Sequence, residues 1–431
     1  MSRTTTIMAL GCLAWAGLCG LGSIATGRAE EVPTSQTVVA VSDRAEHAPD
    51  LLLAQGPRAG DAATGEGQDS AAGVEAAEQP PPSDFLAGLF GRTAASEPSS
   101  RLAGTPNMFG DLAGVRVSGT LGQNEASLPL ASIGDRMKIA EDDNALPQDR
   151  VFFLYNHFNG ALPVGTFSGG VPVVTHSFDL DRYTIGIEKT FLDRSWSVEL
   201  RMPFTGAFDY SNADFSVSSG QVGNLTAVVK RLLYQSETTV AAIGLGIGTP
   251  TGSNADGTAA SVQFTVHNQA LHLMPFAGFI RTPNDRWFYQ GFLQIDVPTN
   301  GNRIDYVDSS PPSSGTFGTL DDQTLLYADL CLGCWLCRNR EARWLTGLAA
   351  VLELHYTTTL QDADVVSGYV IPQSFAFGNF ANRQDLLDMT VGLHAEIADQ
   401  TLFRVGCVLP LRSGDDRTFD AEVQVQVERR F

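Results

Sequence analysis

From about residue 149 to Phe431 apolar and polar residues alternate with a period of two, and no helical period is sustained anywhere along the chain. The last segment is the clearest case. Phe419, Ala421, Val423, Val425 and Val427 alternate there with Asp420, Glu422, Gln424, Gln426 and Glu428. Trp196, Val198, Leu200, Met202 and Phe204 do the same against Ser195, Ser197, Glu199 and Arg201. Successive side chains of an extended chain point to opposite faces, so this pattern predicts strands with one apolar and one polar face.

About twelve strands are predicted on this basis, at 150–158, 178–191, 194–206, 221–234, 238–249, 261–280, 286–298, 322–336, 343–360, 385–397, 400–411 and 417–431. The number is even, and the connections alternate in length. Short turns fall at Leu192-Asp193, Gln235–Glu237, 281–285, 337–342 and Ala398-Asp399, with longer loops near 159–177, 207–220, 250–260, 299–321 and 361–384. A soluble sandwich would also alternate, but these strands often exceed ten residues, and the loop rhythm is that of a membrane barrel with short periplasmic turns and long external loops. After the first residues no uninterrupted 18-residue apolar run occurs, so spanning helices are excluded. With the C-terminus in the periplasm, Phe191, Trp196, Trp287, Trp344 and Phe431 are expected in a girdle at periplasmic strand ends, and Tyr183, Phe204, Tyr356 and Phe419 in one near the outer ends.

The rest of the chain divides by composition. Met1-Ser-Arg3, the apolar run from Ile7 to Ile24 and Ala29 before Glu30-Glu31 read as a cleavable export signal over residues 1–29. Residues 30–135 read as a disordered, low-complexity periplasmic tail with a Gly-rich transition, since so few clustered apolar residues cannot offset the entropy of ordering. The domain from 136 to 431 then starts with a periplasmic lead-in, Lys138 to Val151. A net charge of −20 with no Lys/Arg cluster excludes nucleic acid as a partner. Cys331, Cys334 and Cys337 are spaced as for a metal, but a strand would place Cys331 and Cys337 on one face and Cys334 on the other, so no metal or other cofactor is expected.

The C-terminal stretch Glu422-Val-Gln-Val-Gln-Val-Glu-Arg-Arg-Phe431 resembles the assembly signal of outer-membrane β-barrels, which ends in an aromatic residue. With the strand rhythm, the resemblance extends over roughly residues 150–431. It implies an all-β fold, a transmembrane antiparallel up-and-down barrel in the outer membrane of a double-membraned bacterium. It also implies the barrel-assembly machinery and outer-membrane lipid as partners, with Phe431 as the assembly signal. No porin or transporter subfamily is singled out.

By parity the polar face carries Glu188, Glu199, Arg201, Lys230, Asp296, Asp329, Glu353, His355, Asp388, His394, Glu396, Arg404, Asp420, Glu422 and Glu428. These are expected to line the lumen, because a midplane Arg or Lys facing lipid costs about 2–4 kcal/mol. Acidic residues prevail among them, so the sequence suggests a narrow diffusion channel for small hydrophilic solutes with a preference for cations. The alternative is a non-conducting structural or surface-binding barrel. An outer-membrane hydrolase using His355 or His394 is the third reading, weakened by the lack of a serine at a matching position, so no enzyme is expected. Deleting Phe431, or replacing it with Ser, should lower the heat-modifiable barrel recovered in outer-membrane fractions while export continues. Wild-type amounts would remove the assembly role.

Overall fold

The computed structural model describes residues 100–111, 118–121, 124–127, 136–168, 171–206, 208–211, 215–219, 222–370, 373–398 and 400–431. The expected export signal and the expected tail up to residue 99 lie outside them. Twelve strands form a closed antiparallel barrel. They are β1 Arg150–Ser168, β2 Val171–Phe191, β3 Trp196–Thr205, β4 Thr226–Gln235, β5 Thr239–Gly248, β6 His272–Arg281, β7 Trp287–Pro298, β8 Leu325–Arg338, β9 Leu345–Thr359, β10 Asp385–Ile397, β11 Thr401–Pro410 and β12 Ala421–Arg430. Each pairs with its neighbour in sequence, and β12 closes onto β1 through Val425↔Tyr155 and Val427↔Phe153. Closure leaves no unpaired edge along the wall.

The period-two pattern has the consequence expected of it. Along β12 the valines face out, while Glu422, Gln424, Gln426 and Glu428 face in and are buried. Ile185, Leu293 and Leu330, each more than half exposed, belong to an apolar outer belt, and charged side chains fill the interior. The barrel is therefore inside-out relative to a water-soluble one.

The long-loop end departs from expectation. The segment 261–280 is not one strand: Val262–Val266 leaves the barrel, and β6 starts at His272. Val262–Val266 joins a second sheet of six strands with Phe208–Ser211, Phe215–Ser219, Ala255–Ala259, Asn302–Ser309 and Pro312–Leu320. Most of the predicted long loops are thus strands. The β1–β2 hairpin also extends past the barrel wall, since β2 has 21 residues where about 9–11 suffice to cross a bilayer. Val365–Val370, Gln373–Gly378, Ser118–Leu121 and Asn124–Ser127 lengthen this part of the barrel sheet, the last pairing with β1 at Val164–Thr166.

Between the two sheets lies an apolar core that includes Phe158, Leu162, Leu180, Phe264, Ile304, Phe375, Phe377 and Phe419. The rings of Phe264 and Phe375 lie 4.5 Å apart. Phe419, expected in the outer aromatic girdle, belongs instead to this core and packs edge-on against Phe158, because β12 starts only at Ala421. Leu330 faces outward in mid-strand between Gly291 and Leu354. Changing Leu330 to Arg should destabilise the barrel by about 2–4 kcal/mol in urea unfolding from lipid vesicles, and an unchanged midpoint would show that the belt does not face lipid.

Candidate functional site

Described segments of the chain that precedes β1 pack inside the barrel. The first leg begins in the helix Ser100–Ala103 at the short-turn end, where Arg101 pairs with Asp285 and Arg430 donates to the Ala103 carbonyl at 2.8 Å. It continues inward through Asn107, whose Nδ2 donates to Glu428 at 2.8 Å. The backbone N–H groups of Phe109 and Gly110 then donate to the Glu353 carboxylate at 2.9–3.1 Å. Gln426 and Gln424 donate to the carbonyls of the same two residues at 3.1 Å. The Phe109 ring lies over Gly392 and Gly406, where a Cβ would come within 2.4 and 2.9 Å of it. Only glycine leaves room for the ring.

Past Asp111 the next described residues, Ser118–Leu121, already pair with Gln373–Gly378 at the long-loop end. The second leg returns from there. Arg136 pairs with Asp296 at 3.0 Å and donates to the Gln323 carbonyl at 2.8 Å. Ile139 N–H donates to Gln294 at 2.7 Å, and Gln148 N–H to Glu188 at 3.2 Å, just before β1 begins. This corrects two expectations: residues 136–149 are not a periplasmic lead-in, and the part of the expected tail from 104 to 111 is ordered. Both segments are buried among inward side chains of the wall.

Charge organises the contact. The Arg150 guanidinium reaches Glu188 at 2.7 Å, Glu199 at 2.6 Å and Glu428 at 3.3 Å on the wall, and Asp142 at 3.2 Å and Asp143 at 3.5 Å on the plug. Lys230 joins Asp143 at 2.5 Å to Glu188 at 3.3 Å. Lys138 bridges Asp111 and Asp329, the latter at 2.9 Å. Arg404 pairs with Asp142 and donates to the Asn107 carbonyl, Arg182 pairs with Glu141 at 3.2 Å, and Arg201 donates to the Glu141 carbonyl at 2.8 Å. Apolar contacts fill the rest: Leu102, Ala145 and Leu146 against Leu232, Val240 and Ile280, and Phe109 and Ile139 with Phe276, Phe288 and Phe292 in one cluster.

Of the residues expected on the lumen face, Glu188, Glu199, Arg201, Lys230, Asp296, Asp329, Glu353, His355, Asp388, His394, Glu396, Arg404, Glu422 and Glu428 are buried in the interior. Asp420 is not. It sits at the long-loop rim, two-thirds exposed and paired with Arg417, because the strand begins one residue later. The plug groups Asp111, Arg136, Lys138, Glu141, Asp142 and Asp143, and the wall cations Arg150 and Arg182, escaped the reading. Arg182 alternates with Tyr183, and Arg150 opens β1, so parity offered a signal for both.

His355 bridges Asp329 at 2.8 Å and Thr390 at 3.0 Å, and Thr390 in turn donates to the Gly110 carbonyl at 3.3 Å. An acid, an imidazole and a hydroxyl are thus aligned, with the plug packed over the hydroxyl. His394 packs edge-on against Trp335 at 5.8 Å. Asp111, Asp329 and His355 converge closely enough for a metal ion, as do Asp143, Glu188 and Glu199. Lys138 already occupies the first cluster, and Arg150 and Lys230 the second. Cys331, Cys334 and Cys337 form no disulfide with one another. Cys331 faces the buried interior, but a bulge between Trp335 and Cys337 breaks the expected parity and leaves Cys337 exposed.

A closed wall with an apolar outside and a charged inside defines the class: a membrane-spanning β-barrel, here with an internal plug. No family model matches the chain, and no curated protein matches it. Among solved structures it is similar to an outer membrane channel from Pseudomonas putida F1, at 12% identity and a TM-score of 0.42 over 67% of this chain and 98% of that one. It is also similar to the translocator domain of the autotransporter NalP from Neisseria meningitidis (11%, TM-score 0.40, 67% and 90%) and to the Pseudomonas putida toluene transporter TodX (9%, TM-score 0.34, 75% and 98%). Likenesses of this strength carry no information on function.

Removing one partner from a buried charge network leaves the others uncompensated, at a cost of about 3–5 kcal/mol. Arg150→Met should lower stability by that much in urea unfolding of the full chain in vesicles, and Arg150→Lys by less. An unchanged midpoint for Arg150→Met would mean that the five carboxylates are not held by this guanidinium.

Proposed function

We propose that this protein is an outer-membrane channel held shut by its own N-terminal plug, with short turns and C-terminus in the periplasm, and that it passes small hydrophilic solutes, cations preferentially, when the plug moves. One observation carries the reading: the wall carboxylates that would select ions are bonded to groups of the plug, as Asp296 is to Arg136, Asp329 to Lys138 and Glu353 to the N–H groups of Phe109 and Gly110. A lumen built only as filler does not need a separate strand-free segment carrying its counter-charges. With the plug displaced, Glu188, Glu199, Asp296, Asp329, Glu353, Asp388, Glu422 and Glu428 outnumber Arg150, Arg182, Arg201, Lys230 and Arg404 on the wall. Rings of carboxylates favour cations.

Outer-membrane lipid and the barrel-assembly machinery are the partners this reading requires. The reading as a non-conducting, surface-binding barrel draws on a different feature, the six-stranded sheet and apolar core over the long-loop end. With the plug seated, the aligned Asp329, His355 and Thr390 are all buried.

Conductance of the full chain in planar bilayers separates the two. The wild type should be closed for most of the record, and Lys138→Met, which removes the plug cation between Asp111 and Asp329, should raise the open fraction with cation-selective steps. Selectivity should weaken as salt rises, because ions screen fixed charges over about 8 Å at physiological strength. A variant that inserts and stays silent favours the surface-binding barrel. Steady wild-type current with the plug protected from protease would show that the plug is not the gate.

A further inference from the structure

The outer wall is not uniformly convex. Where β12, β1, β2 and β3 run side by side, a groove of about 510 Å³ opens on the outward face, within the roughly 300–1,000 Å³ range of ligand sites. Its walls include the exposed, outward-facing side chains Phe153 of β1, Ile185 and Ile187 of β2, Leu200 of β3 and Val427 of β12, and the buried Phe152 and Arg201 also line it beside Gly186. At its short-turn end stands Arg429. That guanidinium donates to Thr401 Oγ1 at 2.8 Å and to Gln400 Oε1 at 2.7 Å. Both partners are neutral, and among the described residues no carboxylate pairs with it. The neighbouring Lys189 is different, since it pairs with Asp149 at 3.1 Å while lying 5.0 Å over the Phe431 ring.

We propose that this groove is a specific site for one anionic phospholipid of the periplasmic leaflet, an acyl chain lying along Ile185, Ile187 and Leu200 and the phosphate meeting Arg429. The proposal rests on the reading of the chain as an outer-membrane barrel. Two properties select this occupant over a protein partner. The groove opens from the apolar belt, where the surrounding solvent is hydrocarbon, and a flexible chain fills a shallow channel between strands. The charged end lies at the level of the short turns, where headgroups of that leaflet begin, and a guanidinium held only by neutral groups among the described residues is complementary there to a phosphate. An acyl chain without a headgroup would leave Arg429 unexplained, and a free phosphate would leave the apolar length of the groove empty.

Native mass spectrometry of the full-length, detergent-solubilised barrel, titrated with phosphatidylglycerol or phosphatidylcholine, tests the site. The wild type should retain one phosphatidylglycerol at concentrations where phosphatidylcholine is lost. Arg429→Gln should reduce that preference by about fivefold, the size expected for one basic contact at an anionic surface, while Arg429→Lys keeps most of it. Ile185→Trp fills the groove and should remove retention of both lipids. Equal retention of the two lipids by the wild type, or a preference unchanged in Arg429→Gln, overturns the proposal. If Ile185→Trp does not insert, the two Arg429 variants decide alone. Heat-modifiable insertion into vesicles is scored first for the wild type: a chain that stays in the aqueous fraction overturns the membrane reading, whereas an inserted barrel that retains no lipid overturns only the site.

Discussion

A closed barrel turns half of its side chains inward, and here many of those are charged, so the structure depends on meeting them with counter-charges or hydrogen-bonding groups in a buried interior. Arg150 is where this requirement is concentrated. Its guanidinium touches three carboxylates from three different strands and two from the plug. Because β12 contributes Glu428 and β1 contributes Arg150 itself, this network forms only where the last strand meets the first. Closure of the wall and seating of the plug therefore draw on one electrostatic network.

The same matching extends around the circumference. The inward faces of β4 to β7 carry Val228, Leu232, Val240, Phe276, Ile280, Phe288 and Phe292, and the plug presents Leu102, Ile139, Ala140, Ala145 and Leu146 within the same two clusters. Where the wall carries Arg150, Lys230 or Arg404, the plug answers with Asp142, Asp143 or a carbonyl, and where it carries Asp329 the plug answers with Lys138. A loosely held filler would show no such correspondence, since apolar packing and ion pairing both lose their value when surfaces slide by a few ångströms.

The barrel was legible in the sequence because a strand's period is local: Val423, Val425 and Val427 face one way whatever else the chain does. Inward direction was legible for the same reason, and Asp420 failed only where the strand stopped. What could not be read was the identity of the inward partners. Ion pairs such as Lys138 with Asp329 or Arg150 with Glu428 join residues far apart in sequence, and no local pattern marks them. The plug lacks a period, so its composition looked like that of a tail. The role of Gly392 and Gly406, room for the Phe109 ring, depends on a segment far upstream that no local pattern connects to them. The outer sheet was missed because its strands are short and rich in Ser, Gly and Asp, which read as loops.

The density of ion pairs around the plug does not make it immovable. Each pair was formed by stripping water from two charges, and the attraction gained in the interior does little more than offset that loss. When water enters, the same groups are rehydrated, so the free-energy difference between a dry plugged lumen and a wet open one is much smaller than the sum of contacts broken. Apolar contacts behave oppositely, because wetting Leu102, Phe109 and Leu146 has no such compensation. Water thus offsets more of what is lost at contacts such as Arg150 with Asp142 and Asp143 than at the apolar contacts of Leu102 and Leu146.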